Sequence, residues 1–253
     1  MKYHYVWFLW SSAFLVPWAL LYWLFRAQRR VMLQASLLTM PFGLTEPLFV
    51  PEYWSPPSLF DLAARTGFDI ESLIFCFAIG GIGVVLYNAV TGKALVPISA
   101  EYRRLPLHRH HWLAIAAPLI AFPILFLLPW NPVYPAIAAM AAGLIANILC
   151  RPELKNKTWV GGLLFLVLYT VFIGGLELFV PGYIDDVWNM QYLSGIVLLQ
   201  IPIEEYLFAF AFGMYWAGVY EHVTWQRPIS EQEPMMRTIR VAINAYNDAE
   251  KLS

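Results

Sequence analysis

Glutamates stand inside otherwise apolar sequence at two places 131 residues apart, counted from Glu46 to Glu177. Around Glu46 the chain reads GLTEPLFVPEY, and around Glu177 it reads GGLELFVPGY. A second acidic match follows each: FDIESLIFCFAIG around Glu71, and IPIEEYLFAFAFG around Glu204 and Glu205. Spacing repeats with order, 25 residues from Glu46 to Glu71 and 27 from Glu177 to Glu204. A carboxylate at the centre of a bilayer-spanning helix costs about 2.5–3.5 kcal/mol on insertion scales, so it is rare there without a role. A carboxyl group kept from water favours its neutral form and can hand a proton to a partner that water does not reach. Trp, Tyr and Phe make up 17% of the chain, and Tyr53, Trp54, Phe75, Tyr206 and Phe208 flank the acids as candidate substrate contacts. Aromatic faces attract positive charge, by about 2 kcal/mol or more when desolvated. Acid plus aromatic lining suits a proton-initiated polyene cyclisation. Protonating a trisubstituted alkene gives a tertiary cation, a neighbouring double bond attacks it, and loss of a proton ends the reaction. Most such aromatics also serve as core packing or interfacial belts.

The elements that must carry these residues are membrane helices. Sixty per cent of the residues are hydrophobic and only 13% charged, with a mean hydropathy of +0.58. A soluble domain needs about a quarter charged residues. The composition therefore predicts an all-α integral membrane protein, multi-pass in the cell membrane. Apolar runs long enough to span occur at approximately 5–25, 31–50, 69–90, 112–130, 133–150, 158–180 and 195–220. Seven spans put 26–30, 91–111, 151–157 and the tail from 221 on one side. Those segments hold 14 of the 16 Lys and Arg residues, leaving only Lys2 and Arg65 opposite. Basic loops stay cytoplasmic, so the N-terminus is expected outside and the C-terminus in the cytoplasm. The first apolar run, followed rather than preceded by Arg26, Arg29 and Arg30, is expected to be a span and not a signal peptide.

With that count, spans one to three and five to seven form two parallel three-helix repeats joined by a linking helix. The boundaries expected are 1–90 for the first repeat, 91–133 for a basic loop and linking helix, 134–222 for the second repeat, and 223–253 for a polar tail. Packing about a pseudo-two-fold axis would bring the matched glutamates toward a shared interior. Pro202 would loosen the last helix where Glu204 and Glu205 sit, and only one of two adjacent residues can point fully at one centre. The tail is expected to form a short amphipathic helix over 235–251. His108, His110 and His111, beside arginines, read as lipid-facing basic residues. Cys76 and Cys150 lack metal-ligand spacing, so no metal and no cofactor are expected. Gly80–Gly83 follows no strand and reads as a helix contact, not a dinucleotide fingerprint.

At PIEEYLF (Pro202 to Phe208) and DIESLIF (Asp69 to Phe75) the chain resembles the heterodimeric-type lycopene cyclases, including their fused two-repeat form. Each repeat of that family carries a P-x-E-(E/D) sequence. The second repeat here matches it; in the first, Asp69 stands in place of proline and Ser72 in place of the second acid. The resemblance implies redox-neutral closure of β-ionone rings on lycopene or a related carotenoid, a lipophilic polyene entering from the bilayer. Glu204 or Glu205 would protonate the polyene end, Glu71 would tune the acid, and Glu46 and Glu177 would shape the hydrogen-bond network. Association with other carotenoid enzymes is a further expectation; nucleic acid is not a partner.

Two other classes compete. Intramembrane acids on parallel repeats also suit a proton-coupled transporter, and a noncatalytic carotenoid-binding scaffold would tolerate loss of the acids. A retinal photoreceptor would need a lysine in its last helix. The five lysines, Lys2, Lys93, Lys155, Lys157 and Lys251, are all expected outside the spans.

Overall fold

Proline placement decides where the helices of this chain break, and the breaks decide where the acids sit. A computed structural model describes residues 3–230. The first apolar rod is two helices, α1 (Val6–Ala13) and α2 (Leu15–Leu24). The Pro17 ring would clash with the carbonyl of Ala13, and α1 ends there. Next, α3 (Arg29–Thr39) tightens into a 3₁₀ stretch, Met40–Leu48, where Pro41 and Pro47 lack the N–H an α-helical ladder needs. After the short α4 (Leu62–Thr66) comes α5 (Ile70–Thr91), which starts at Asp69 and ends at Gly92 with φ of 61°.

A strand, β1 (Lys93–Pro97), and a helical turn, α6 (Ala100–Arg103), lead to α7 (His111–Phe126) and α8 (Val133–Cys150). Then follow α9 (Lys155–Phe179), the short α10 (Tyr183–Val187), a hairpin of β2 (Val197–Leu198) and β3 (Ile201–Pro202), α11 (Ile203–Thr224) and β4 (Gln226–Ser230). Helices α1, α2 and α3 pack on α5, helices α8 and α9 pack on α11, α5 and α11 meet, and α7 lies along α8.

The described residues contain five helices long and apolar enough to cross a membrane: Val6–Leu24, Ile70–Thr91, Pro106–Phe126, Val133–Cys150 and Pro152–Phe179. Large apolar side chains face outward, Leu127 being 85% exposed and Leu178 76%. Such a surface fits a bilayer.

Glycine makes the helix contacts close, as expected. A Cβ at Gly80 or Gly81 would collide with Thr39 or Ser36 of α3, and one at Gly83 would lie 3.2 Å from Phe212 and Trp216 of α11.

Several local expectations are corrected. Residues 197–202 form a hairpin instead of the start of the last helix, with Leu199 and Gln200 at its tip, both at positive φ. Pro202 is the N-cap residue of α11 and does not loosen a helix interior, because the helix starts after it. Lys155 and Lys157 lie within α9, and Lys157 is buried against Glu221 of α11. His108 and His111 are buried rather than lipid-facing; His110 is exposed. The basic loop and the segment after α11 are tied together by the antiparallel ribbon β1–β4, which pairs Lys93 with Ser230 and Pro97 with Gln226. The helix expected over 235–251 lies outside the described residues.

Candidate active site

Both acidic motifs open a helix. In α5 the N-cap Asp69 accepts a hydrogen bond from the Ser72 amide at 2.5 Å, and Glu71 lies in the first turn. In α11 Pro202 is at the cap, and Glu204 and Glu205 are in the first turn. The two matched glutamates do the same local job. Glu71 Oε1 accepts from the Leu59 amide at 2.7 Å, and Glu204 Oε1 accepts from the Ser194 amide at 2.8 Å. Each carboxyl thus ties its helix to the loop preceding it. Each also keeps a second oxygen, Oε2, buried without a partner. Glu204 has one further donor, the Tyr134 hydroxyl at 2.6 Å from α8.

Glu205 is different. Three side chains converge on it: the Tyr53 hydroxyl and the Trp188 indole at 2.7 Å on Oε1, and the Tyr169 hydroxyl at 2.5 Å on Oε2. Tyr53 comes from the loop after the 3₁₀ stretch, Tyr169 from the middle of α9, and Trp188 from the end of α10. The two loops are joined around this point, for Trp54 and Trp188 bridge as strand partners and Ser55 N–H donates to the Val187 carbonyl at 2.9 Å. Burial, and then the neighbouring Glu205 carboxyl, push the Tyr53 phenol well above its ordinary value, so Tyr53 stays protonated and donates.

Aromatic rings surround Tyr169, one of the partners of this carboxyl. The Tyr169 ring has Phe208 at 5.9 Å, Phe165 at 6.1 Å, Phe14 and Phe172 at 6.3 Å, and Phe75 at 6.4 Å between centroids. Trp54 lies edge-on to Trp7 at 4.6 Å and tilts against Trp188 at 5.1 Å. Of the candidate substrate contacts, Tyr53 touches Glu205 directly, Phe75 and Phe208 pack on the Tyr169 ring, and Trp54 packs on Trp188. Tyr206 does not join them; its hydroxyl donates to the Leu198 carbonyl in the β2–β3 hairpin at 2.9 Å.

The other acids sit apart. Glu46 accepts from the Ser72 hydroxyl at 3.0 Å, next to Asp69 and Glu71. Glu177 accepts from the Gly182 and Ile184 amides at 2.6 and 3.1 Å and so caps α10. Among the described residues no hydrogen bond joins the Glu46–Glu71 group to Glu204 and Glu205. The matched acids thus form separate hydrogen-bonded groups, and Trp54 and Trp188, neighbours of these groups, meet at 5.1 Å.

Sequence reasoning missed Tyr134, Tyr169, Trp188 and Ser194. Tyr169 had a signal: it stands two helical turns before Glu177 on the same face of an apolar helix. Trp188 had none, because its role depends on how two loops meet.

Comparison with known proteins gives one family. Residues 131–223 match the family model described as lycopene cyclase, while no curated protein and no solved structure matches the chain. The chain thus carries a segment of the lycopene cyclase domain family, and Tyr134, Tyr169, Trp188, Glu204 and Glu205 all lie inside it.

Proposed function

We propose that this protein is a membrane carotenoid cyclase that closes a β-ionone-type ring on lycopene or a related polyene, with Glu205 as the acid. The observation that carries this reading is the convergence of Tyr53, Tyr169 and Trp188 on one buried carboxyl, with a cluster of aromatic rings packed on Tyr169. An indole N–H can only donate, so Trp188 fixes Oε1 as the acceptor oxygen. A tyrosine hydroxyl can donate or accept, so Oε2, facing Tyr169, is the oxygen able to carry the proton. From there the proton goes to C2 of the ψ end, leaving a tertiary cation at C1. The C5–C6 double bond attacks, C1–C6 forms, and the charge moves to C5. Loss of the C6 proton to the vacated Glu205 carboxylate restores the acid and leaves the ring double bond at C5–C6. One proton enters and one leaves, so the reaction is an isomerisation with no net redox change.

Electrostatics favour this step at this place. A cation forming beside the rings of Phe75, Tyr169 and Phe208 gains cation–π stabilisation where water cannot compete. The rings already touch, so a polyene end has to part them on entry from the bilayer. Glu204, held by Tyr134 and Ser194, positions the turn that presents Glu205. Glu71 and Glu46 brace the other acid group. The architecture proposed is two parallel three-helix units, with Tyr53 of the first completing the acid of the second. Pigment chromatography of lycopene-accumulating bacteria tests the reading. New ringed product with the wild-type chain, lost in Glu205→Gln, supports it; ringed product undiminished in Glu205→Gln would end it.

A further inference from the structure

A second polar cluster lies at the far end of α11. Sixteen residues separate Glu205 from Glu221, about 24 Å along a helix, and the ring–carboxylate chemistry above does not involve this end. Here His108, from the turn before α7, His111, at the start of α7, and Cys150, the last residue of α8, come together. All three are buried, at 5%, 3% and 6% exposure. Both imidazoles point Nδ1 at the sulfur, each 3.6 Å from Cys150 Sγ. The three ligand atoms lie within 4.8 Å of one another.

We propose that His108 Nδ1, His111 Nδ1 and Cys150 Sγ bind a borderline-soft divalent metal ion of the Zn2+ class. The two sulfur–nitrogen distances suit it, and the Nδ1 atoms, within 4.8 Å of each other, would draw together on the ion. Zn–S of about 2.3 Å and Zn–N of about 2.0–2.1 Å at a tetrahedral angle place sulfur and nitrogen about 3.6 Å apart. Hydrogen bonding satisfies the group only weakly, since a thiol can donate to one imidazole and accept from the other but is a poor donor and a poor acceptor. His108 Nε2 and His111 Nε2 are buried without partners, and so are both ring nitrogens of His222. His222 stacks on the His111 ring at 4.4 Å, and Trp225 stacks on the other face at 3.7 Å. That sandwich holds His111 in place. It also brings an unpartnered imidazole, His222, to the edge of the site.

The nearby cation is paired with a carboxylate. Arg151 is spent on Glu153 and on the carbonyls of Glu221 and Gln226 at 3.1 and 2.8 Å. A thiolate with two neutral imidazoles is the donor set that zinc takes. The site also has a mechanical logic. Helices α7 and α8 form a hairpin joined by residues 127–132, and the three ligands meet at its open end. A metal there clasps that end and anchors the hairpin to α11 beside His222.

The test uses the full chain purified in detergent, its metal content read by mass spectrometry after dialysis against Zn2+ and then buffer. Wild type and the exposed neighbour variant His110→Ala should each retain about one equivalent, and Cys150→Ser less than a tenth of that. Replacement with Co2+ should give wild type an intense thiolate-to-cobalt charge-transfer band together with tetrahedral d–d absorption. That readout needs no variant to fold. No more zinc in wild type than in Cys150→Ser would overturn the assignment, as would bound cobalt without the thiolate band. Either result would leave a thiol hydrogen-bonded between two imidazoles.

Discussion

The motif at Asp69–Ser72 and the motif at Pro202–Glu205 begin their helices alike and end with different side-chain partners. Glu71 and Glu204 hold loop amides the same way, at 2.7 and 2.8 Å. The next position decides the difference: Glu205 collects three donors, whereas Ser72 gives its hydroxyl to Glu46 at 3.0 Å. The tyrosines of the repeated VPEY and VPGY segments sharpen the contrast. Tyr53 crosses to Glu205, but its sequence match Tyr183 is fully buried with an unpartnered hydroxyl, in the field of Glu71 and Asp69. A carboxylate stands before one tyrosine and a serine stands where the other's partner would be. On the proposed reading, the second motif keeps a proton donor and the first keeps the scaffold that such a donor would need.

The largest effect expected is on Glu205. Glu205→Gln should lower ring formation by about 10²–10⁴-fold, the range of a positioned general acid, while Glu71→Gln should stay within a few-fold of wild type. Equal losses on pigment chromatography would break the comparison, since both motifs would then be catalytic. Removing one donor should matter less. Tyr53→Phe and Trp188→Phe each lose a hydrogen bond to a charged group, about 1.5–3 kcal/mol, or about ten- to a hundredfold in product formed per folded protein.

The mirrored change, Tyr183→Phe, should leave product formation unaltered and raise thermal stability in detergent by up to about 1 kcal/mol, because it deletes an unsatisfied buried hydroxyl. A loss of activity there would show that the first motif contributes chemistry after all. The smallest change is at the cap: Asp69→Ala should cost about 1 kcal/mol of stability, seen as a melting temperature lowered by a few degrees, with Asp69→Asn close to neutral.

Much of the scaffold was legible because its signals are local. Apolar run length announced the helices of α5, α7, α8 and α9, and Gly80–Gly83 announced a close helix contact. The acids themselves stood out by type. Proline was legible as a break but not as to which side of the break the helix would fall. Pro202 caps α11, and Asp69 does the same work for α5 through its side chain, so an apparent departure from the motif is a different route to one helix start. Lys157 was read as a loop residue because charge marks a boundary in sequence. Buried beside Glu221, it could stay inside.

By itself the amino-acid sequence determined that the chain is apolar, helical and provided with paired acids at two matched places. Those properties follow from residue type and short-range spacing. Tertiary structure alone decided which acid gathers three side-chain partners, because those of Glu205 come from residues 53, 169 and 188, on three separate segments. It likewise brought His108 and His111 to Cys150, about forty residues on. Hydrogen bonds and metal ligation act only over a few ångströms. Residues this far apart along the chain reach such distances only after the helices have packed.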